Sequence, residues 1–372
     1  MSPAPSEEGL VAWLRTLTAQ RGKGGRANAG GTLIGDDAAA LPKGAVVTVD
    51  QQIEGVHFPA GLAPALVARR LLAVNLSDIA ASGARPRHAF LALAAPPGFD
   101  HRSFFRALVD ACDDYGVELA GGDLALARGL HLSLTLIGER RHGDATLARD
   151  RARPGQVLWL GGTLGESALG CELLRRGAQE RGRGVVLPTS FSVKGGLRVA
   201  AVAAVRRHLL PTPQLELGRW LAARGRSANI AAIDVSDGLA KDLHRLCAAS
   251  GVGARLDGAA LRAAMPLRFS ELAAQLDVDP NRWVESGGED YVLLFTLPKT
   301  TSPPRRYNAL AIGSITRTKG IFVDDPDAGP AGGRRPLAAA GWDHLADSSE
   351  LKRRAASAAA DRGGRPAHRR RS

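Results

Sequence analysis

LLAVNLSDIAASGARPRHAFLALAAP, residues 71–96, sets the reading of the chain. Leu71, Leu72, Val74, Leu76, Ile79 and Ala80 are the apolar side chains of a buried helix, yet Asn75, Ser77 and Asp78 sit among them. A carboxylate in such a place costs free energy unless a cation, a cap or a surface compensates. The spacing predicts a helix over residues 63–82 that stops near Gly83 and Pro86. RHAFLALAAP (87–96) then reads as a strand.

Outward from this unit, SEEGLVAWLRTLTA (6–19) reads as an amphipathic helix with Ser6 as cap, and the Gly- and Arg-rich residues 21–35 as a loop. AVVTVDQQI (45–53) and LHLSLTLIGE (130–139) alternate as strands do, and residues 101–115 make another helix. Pro154-Gly155 marks a turn before a new strand. Helices follow at 166–176 and 196–208, around a long loop at 180–195. NIAAIDVSDGLAKDLHRLCAA (229–249) and the strand YVLLFTL (291–297) complete the second half. Helices and strands mix without a strict βαβ rhythm, so the expected class is α+β or mixed α/β in two lobes. The expected domains are 1–150 and 151–346, with a basic tail at 347–372.

Composition excludes several classes. The 372 residues are 45% hydrophobic and 23% charged, a globular balance. No stretch approaches the roughly 20 apolar residues of a membrane span. MSPAPSEEGL has neither the basic nor the apolar region of a signal peptide. Cys112, Cys171 and Cys247 are far apart and odd in number, which argues against disulfides or zinc and for a reducing cytoplasm. The net charge is +12, but residues 352–371 hold eight Lys and Arg residues against Asp361 alone. The excess is therefore concentrated in a tail that reads as solvated and disordered, with nucleic-acid contact confined to it if there is any.

The acidic residues cluster beside Gly, Ser or Thr at the ends of apolar runs: GDDAAAL (35–41), TVDQQIEGVHF (48–58), NLSD (75–78), AGGD (120–123), IDVSDG (233–238) and GGED (287–290). Glycines let backbone N–H groups approach an anion, and carboxylates offer hard oxygen ligands to Mg²⁺. Phosphoryl transfer needs that combination. Each piece alone fits a turn or a helix cap equally well. There is no GxxxxGK[ST] loop, no HRD or DFG element and no GxSxG elbow, so any ATP site is of another kind.

In order and spacing these segments, with ARPGQVLWLGGTLGESALG, RHLLPTPQLELG and GWDHL, resemble the bacterial thiamine-monophosphate kinases of the aminoimidazole-ribonucleotide synthetase-like superfamily, from about residue 33 to 345. The resemblance implies an α+β N-terminal half whose sheet pairs across a homodimer, and a C-terminal α/β half. It implies ATP-dependent phosphorylation of thiamine monophosphate. Mg²⁺ would be held by Asp36, Thr48, Asp50, Asp78, Asp123, Asp234 and Asp237, with Asp78, Asp123 and Asp237 catalytic. ATP would be contacted by Gly122, Asp123, Arg149 and Ser236, and thiamine monophosphate by His57, Glu289 and Trp342. The chain departs from the family pattern at Val49, at Leu124 to Leu126, at Asp150 and Arg151, and at Val292. Two alternatives accompany this reading: a related ATP enzyme with another substrate, and a non-catalytic nucleotide- or RNA-binding protein that uses the basic tail.

Overall fold

Two sheets meet along one buried helix. The structure, a computed structural model, describes residues 7–20, 34–181, 184–188, 191–325 and 333–342. The expectations for the 21–31 loop and the 347–372 tail lie outside the described residues.

The first half comprises helix α1 (Glu7–Gln20), strands β1 (Ala39–Ala40) and β2 (Ala45–Ile53), helix α2 (Pro64–Ser82), strand β3 (Arg85–Ala95), helix α3 (His101–Tyr115), and strands β4 (Glu118–Leu126) and β5 (His131–Glu139). The sheet order is β1-β2-β5-β3-β4, with β3 and β4 parallel and the other pairs antiparallel. β2 forms because Val46, Val47, Thr48 and Val49 are β-branched and alternate between a covered and an open face. Val46 and Thr48 are buried, whereas Val49 is 59% exposed. α2 and α3 cover the inner face, where Leu71, Leu76, Phe104, Leu108, Leu134 and Leu136 pack. Each such side chain contributes about 1.5–3 kcal/mol through burial.

The second half continues with strand β6 (Val157–Leu160), helix α4 (Glu166–Arg175), the hairpin of β7 (Gln179–Arg181) and β8 (Gly184–Val186), helices α5 (Gly195–Leu209), α6 (Leu215–Ala222) and α7 (Gly225–Ala228), strand β9 (Ala232–Asp234) and helix α8 (Leu239–Ser250). Strands β10 (Gly253–Asp257), β11 (Leu293–Leu297), β12 (Leu310–Thr316), β13 (Ile321–Asp325) and β14 (Gly333–Pro336), with three short helices at Gly258–Ala263, Phe269–Gln275 and Pro280–Ser286, follow. Seven of these strands form one sheet in the order β14-β13-β10-β12-β6-β11-β9. The stretch expected to be a long loop at 180–195 instead contains the β7–β8 hairpin. Antiparallel pairing of the two strands turns Val185 onto the core, where it is buried, which a solvated loop would not achieve.

α2 is apolar on nearly every side because both halves pack on it. Such a helix belongs in a core. Its C-terminus ends at Gly83, whose φ of +73° no β-carbon tolerates easily, and whose N–H returns to the Ala80 carbonyl at 3.0 Å. α6 crosses α2 at Gly218, where an added β-carbon would lie 2.0 Å from the Ala80 carbonyl oxygen. Ala80, Ala81, Leu217, Leu221, Ile230 and Phe295 form the apolar seam between the halves. Among the described residues, no helix is long and apolar enough to cross a membrane. None of the three cysteines is in a disulfide.

Candidate active site

The seam carries the acidic residues. Asp37 comes from the loop before β1, Asp78 from the last turns of α2, and Asp234 from the end of β9. One carboxylate oxygen of each lies within 4.8 Å of the others. Hydroxyls support them from behind. Thr48 Oγ1 donates to Asp78 Oδ2 at 2.6 Å, and Ser77 Oγ donates to Asp234 Oδ2 at 2.7 Å. Thr48 Oγ1 also lies 3.2 Å from the Asp37 carbonyl.

Burial pushes the Asp78 and Asp234 carboxyls well above the carboxylate range, and the neighbouring carboxylates push them further. Asp234 and Asp50 act on Asp78, and Asp37 acts on Asp234. Asp50 on β2 is pushed up to about 7, chiefly by burial. Three carboxylates this close repel strongly unless a cation stands among them. Hard oxygen donors from three elements fit Mg²⁺ rather than a thiophilic metal.

A second group lies at the N-terminus of α8. Asp242 is fully buried, and its Oδ2 accepts the N–H groups of Ser236, Asp237 and Gly238 at 3.1, 3.0 and 3.2 Å. That folds the SDG turn over the helix start. Burial, then Asp237, raises Asp242 to about 7 against the pull of Arg245 and Arg149. Asp237 faces Lys241 Nζ at 3.0 Å and Arg245 Nη1 at 2.7 Å. Its carbonyl accepts the Trp342 N–H at 3.0 Å, while Lys241 Nζ donates to the Trp342 carbonyl. Trp342 is thereby docked beside the SDG turn.

Arg149 follows the first sheet and folds onto the GDD loop. Its Nη2 bonds Asp37 Oδ1, its Nη1 reaches the Gly35 carbonyl at 3.4 Å, and its Nε lies 3.7 Å from Asp36. Burial alone would lower its pKa, but Asp37 and Asp36 hold it raised and charged.

At the other end of the seam, Arg70 of α2 is 1% exposed. It meets Glu289 Oε1 at 2.5 Å and the His57 carbonyl at 3.1 Å. Glu289 Oε2 lies 3.3 Å from His208 Nδ1. Burial raises the Glu289 carboxyl, but Arg70, His208 and His57 outweigh it and hold the group below the usual range.

Of the residues expected from sequence, the structure brings Asp78 and Asp234 to the cluster, with the Thr48 hydroxyl behind Asp78 and Asp50 near enough for its charge to act on Asp78, and sets Asp36 beside Arg149. Asp237, Ser236 and Trp342 meet at the α8 turn, and His57 and Glu289 meet through Arg70. Gly122 and Asp123 are elsewhere in the chain. They lie on the exposed edge strand β4, three strands from β2, or about 14 Å at the usual strand spacing. Three residues were missed. Asp37, not Asp36, completes the three-carboxylate cluster. Asp242 organises the turn that was read only through Asp234 and Asp237. Arg70 is a charge inside the same apolar run as Asp78, and that signal was available in VARRLLAV. Two departures from the family pattern also find their place. Val49 points away from the acidic face. Val292 is buried in the core of the second half.

The fold and this acidic seam define a class. Residues 35–139 match the model of the AIR synthase related protein N-terminal domain, and residues 153–294 match that of its C-terminal domain. The chain is 30% identical over 306 residues to the thiamine-monophosphate kinase of Aquifex aeolicus, covering 81% of this chain and 92% of that protein. It is 38% identical over 280 residues to the Escherichia coli K12 thiamine-monophosphate kinase, covering 72% and 76%. It superposes on the solved structure of AaThiL complexed with AMPPCP and TMP with a TM-score of 0.74 and 27% identity, over 91% of this chain and 97% of that one. The chain belongs to the thiamine-monophosphate kinase family of AIR synthase related proteins.

Proposed function

We propose that the chain transfers the γ-phosphoryl group of ATP to the phosphate of thiamine monophosphate, giving ADP and thiamine pyrophosphate. The observation that carries this is the Asp37–Asp78–Asp234 cluster at the seam, together with the family to which the chain belongs. A phosphate oxygen of thiamine monophosphate forms the new bond to the γ-phosphorus, and the bond to the β,γ-bridging oxygen breaks. The attacking phosphate is already ionised near neutral pH, so the chain needs no strong general base. Its task is to hold two anions together, and orientation with charge stabilisation dominates such transfers. Mg²⁺ held by Asp37, Asp78 and Asp234, with Asp50 adjacent, would supply charge neutralisation at the transferred group.

The chain's own residues do the rest. Thr48 and Ser77 fix which carboxylate oxygens face the cluster. Arg149 is charged and fork-shaped, suited to a nucleotide phosphate once Asp37 turns to metal. Ser236 lies on the turn organised by Asp242, where backbone N–H groups face the start of α8. Trp342 offers a ring for a cationic thiazolium or a pyrimidine. His57 and Glu289 belong to the thiamine side. The proposed domain boundary falls after residue 150, supported by the Pro154-Gly155 turn and by the interval between the two family matches.

We also propose a homodimer through the outer face of the first sheet. Val49 and Phe90 are 59 and 39% exposed there, and Leu124 and Leu126, which share the register of the inward Leu93 and Ala95 on the uncovered edge strand β4, are 59 and 78% exposed. Contiguous exposed apolar surface marks an interface. Gly122 and Asp123 lie on the same edge, so a second copy would bring them near its own seam rather than that of their protomer. The absence of disulfides among the three cysteines suits a reducing cytoplasm. The test is an acceptor panel with Mg²⁺–ATP, in which thiamine monophosphate is compared with other phosphate monoesters. ADP release dependent on thiamine monophosphate, with thiamine pyrophosphate formed in equal amount, is the expected result. Release driven instead by another acceptor would overturn it.

A further inference from the structure

We propose that Arg70 is the positioning residue of the acceptor site. From inside α2 its one guanidinium holds both Glu289 and the His57 segment in place for thiamine monophosphate. This deepens the reading above and rests on it.

The geometry is unusual for a surface-seeking side chain. Arg70 is 1% exposed and uses all of its nitrogens. Nε donates to Gln52 Oε1 at 3.1 Å, Nη1 to the His208 carbonyl, and Nη2 to the His57 carbonyl at 3.1 Å and Glu289 Oε1 at 2.5 Å. The four partners come from β2, from the segment after it, from the end of α5 and from the GGED loop, so both halves of the chain close on one cation. Glu289 needs such a hold. Its φ is +58°, a left-handed conformation that a non-glycine residue keeps only when its surroundings impose it. Gly288 before it and Tyr291 after it are also left-handed, at +70° and +49°. Its N–H is tied to the Ser236 carbonyl at 2.6 Å. His208 adds the second restraint, with Nδ1 lying 3.0 Å from Ser167 Oγ and 3.3 Å from Glu289 Oε2.

A bond network with one shared donor acts as a unit. Arg70 cannot lose its charge, and no other side chain type presents a planar fork to four acceptors. Lysine at this position supplies the charge without the fork. Arg70 therefore sets where the Glu289 carboxylate and the His57 segment stand relative to one another. It does so on the thiamine side of the seam, eight residues before Asp78 on the same helix, where its charge also acts on Asp50. Its loss reaches the acceptor first, because both groups it holds, Glu289 and the His57 segment, stand on that side.

The test is steady-state kinetics of the full chain with both substrates varied, on Arg70→Met, Arg70→Lys, Glu289→Gln and the Arg70→Met/Glu289→Gln double variant. Arg70→Met raises KM for thiamine monophosphate about tenfold or more, in line with a lost charged hydrogen bond. KM for ATP stays within about twofold, and the thermal shift given by Mg²⁺–ATP is retained. Arg70→Lys recovers part of the loss. The double variant is no worse than the poorer single, because both act through one carboxylate. Equal rises in both KM values, or effects of the two substitutions that multiply, would overturn the role of Arg70 while leaving the reaction intact. Failure of the unsubstituted chain to use thiamine monophosphate at all would instead overturn the reading on which it rests. Should Arg70→Met not fold, Gln52→Leu removes the side chain that aims Nε and gives the same selective rise; an unchanged KM there overturns the proposal.

Discussion

Replacing Asp78 by Asn removes one negative charge from the acidic seam and leaves its shape. The consequence differs with and without metal. Asp78, Asp37 and Asp234 present oxygens within 4.8 Å of one another. Two full charges at that distance repel by about 3.5 kcal/mol at an effective dielectric of about 20. Without metal the cluster relieves part of this by holding protons, since Asp78 and Asp234 titrate well above the usual range. The gain from Asn is therefore smaller, about 1–3 kcal/mol. The Thr48 hydroxyl, 2.6 Å from Oδ2, keeps an acceptor if the Asn oxygen takes that place. Asp78→Asn thus melts higher than the unsubstituted chain in EDTA at pH 8, by a few degrees. In Mg²⁺–ATP the order reverses, because one ligand is gone. Turnover falls about a hundredfold or more, the scale on which a lost electrostatic stabiliser is felt. Differential scanning fluorimetry in the two buffers and an ADP-release assay check both arms. A variant that melts lower in EDTA yet keeps its Mg²⁺ response and its turnover would refute the reasoning.

Asp50, Asp242 and Asp290 are raised to about 7, each chiefly by burial. The folded state then binds more protons than the unfolded chain between about pH 4 and 7, so metal-free stability falls as pH rises through that window. Denaturant titrations in EDTA at pH 5 and 8 check this, and the stabilisation by Mg²⁺ is larger at pH 8. Gly218→Val drives a side chain into the Ala80 carbonyl, 2.0 Å from the first added carbon. It parts α6 from α2 and lowers the melting temperature by an amount that Val at the exposed Ala60 does not. Leu126→Glu, on a side chain 78% exposed in the protomer, shifts sedimentation from dimer to monomer while leaving the circular dichroism spectrum unchanged. The dimer reading fails if the sedimentation coefficient does not move.

The elements around the site were largely legible. β2 and α3 coincide with the strand at 45–53 and the helix at 101–115, because alternation in one and a sharp apolar stripe in the other leave little choice. Asp78 was legible for the same reason: a carboxylate in an apolar helix must be answered by something. The first sheet hid β4, because AGGD reads as a turn and the strand is exposed along nearly its whole length. β10, β12, β13 and β14 were not assigned at all. Their ranges are short or mixed, and they are held by partners distant in sequence, such as Ala254 with both Ile315 and Ile321. Asp37 and Asp36 are indistinguishable in sequence; both come to lie beside Arg149, and only the fold turns Asp37 to the cluster. Arg70 was open to the very argument applied to Asp78, eight residues further along the same helix.

The most direct test of the central claim follows the label from [γ-³²P]ATP in the presence of Mg²⁺ and thiamine monophosphate, with the chain as it stands and with Asp78→Asn. Label appearing in thiamine pyrophosphate in step with ADP, and lost in the Asp78 variant, is the predicted result. Label remaining in ATP, passing to water, or reaching thiamine pyrophosphate equally well without Asp78 would contradict the assignment of the acidic seam as the site of transfer.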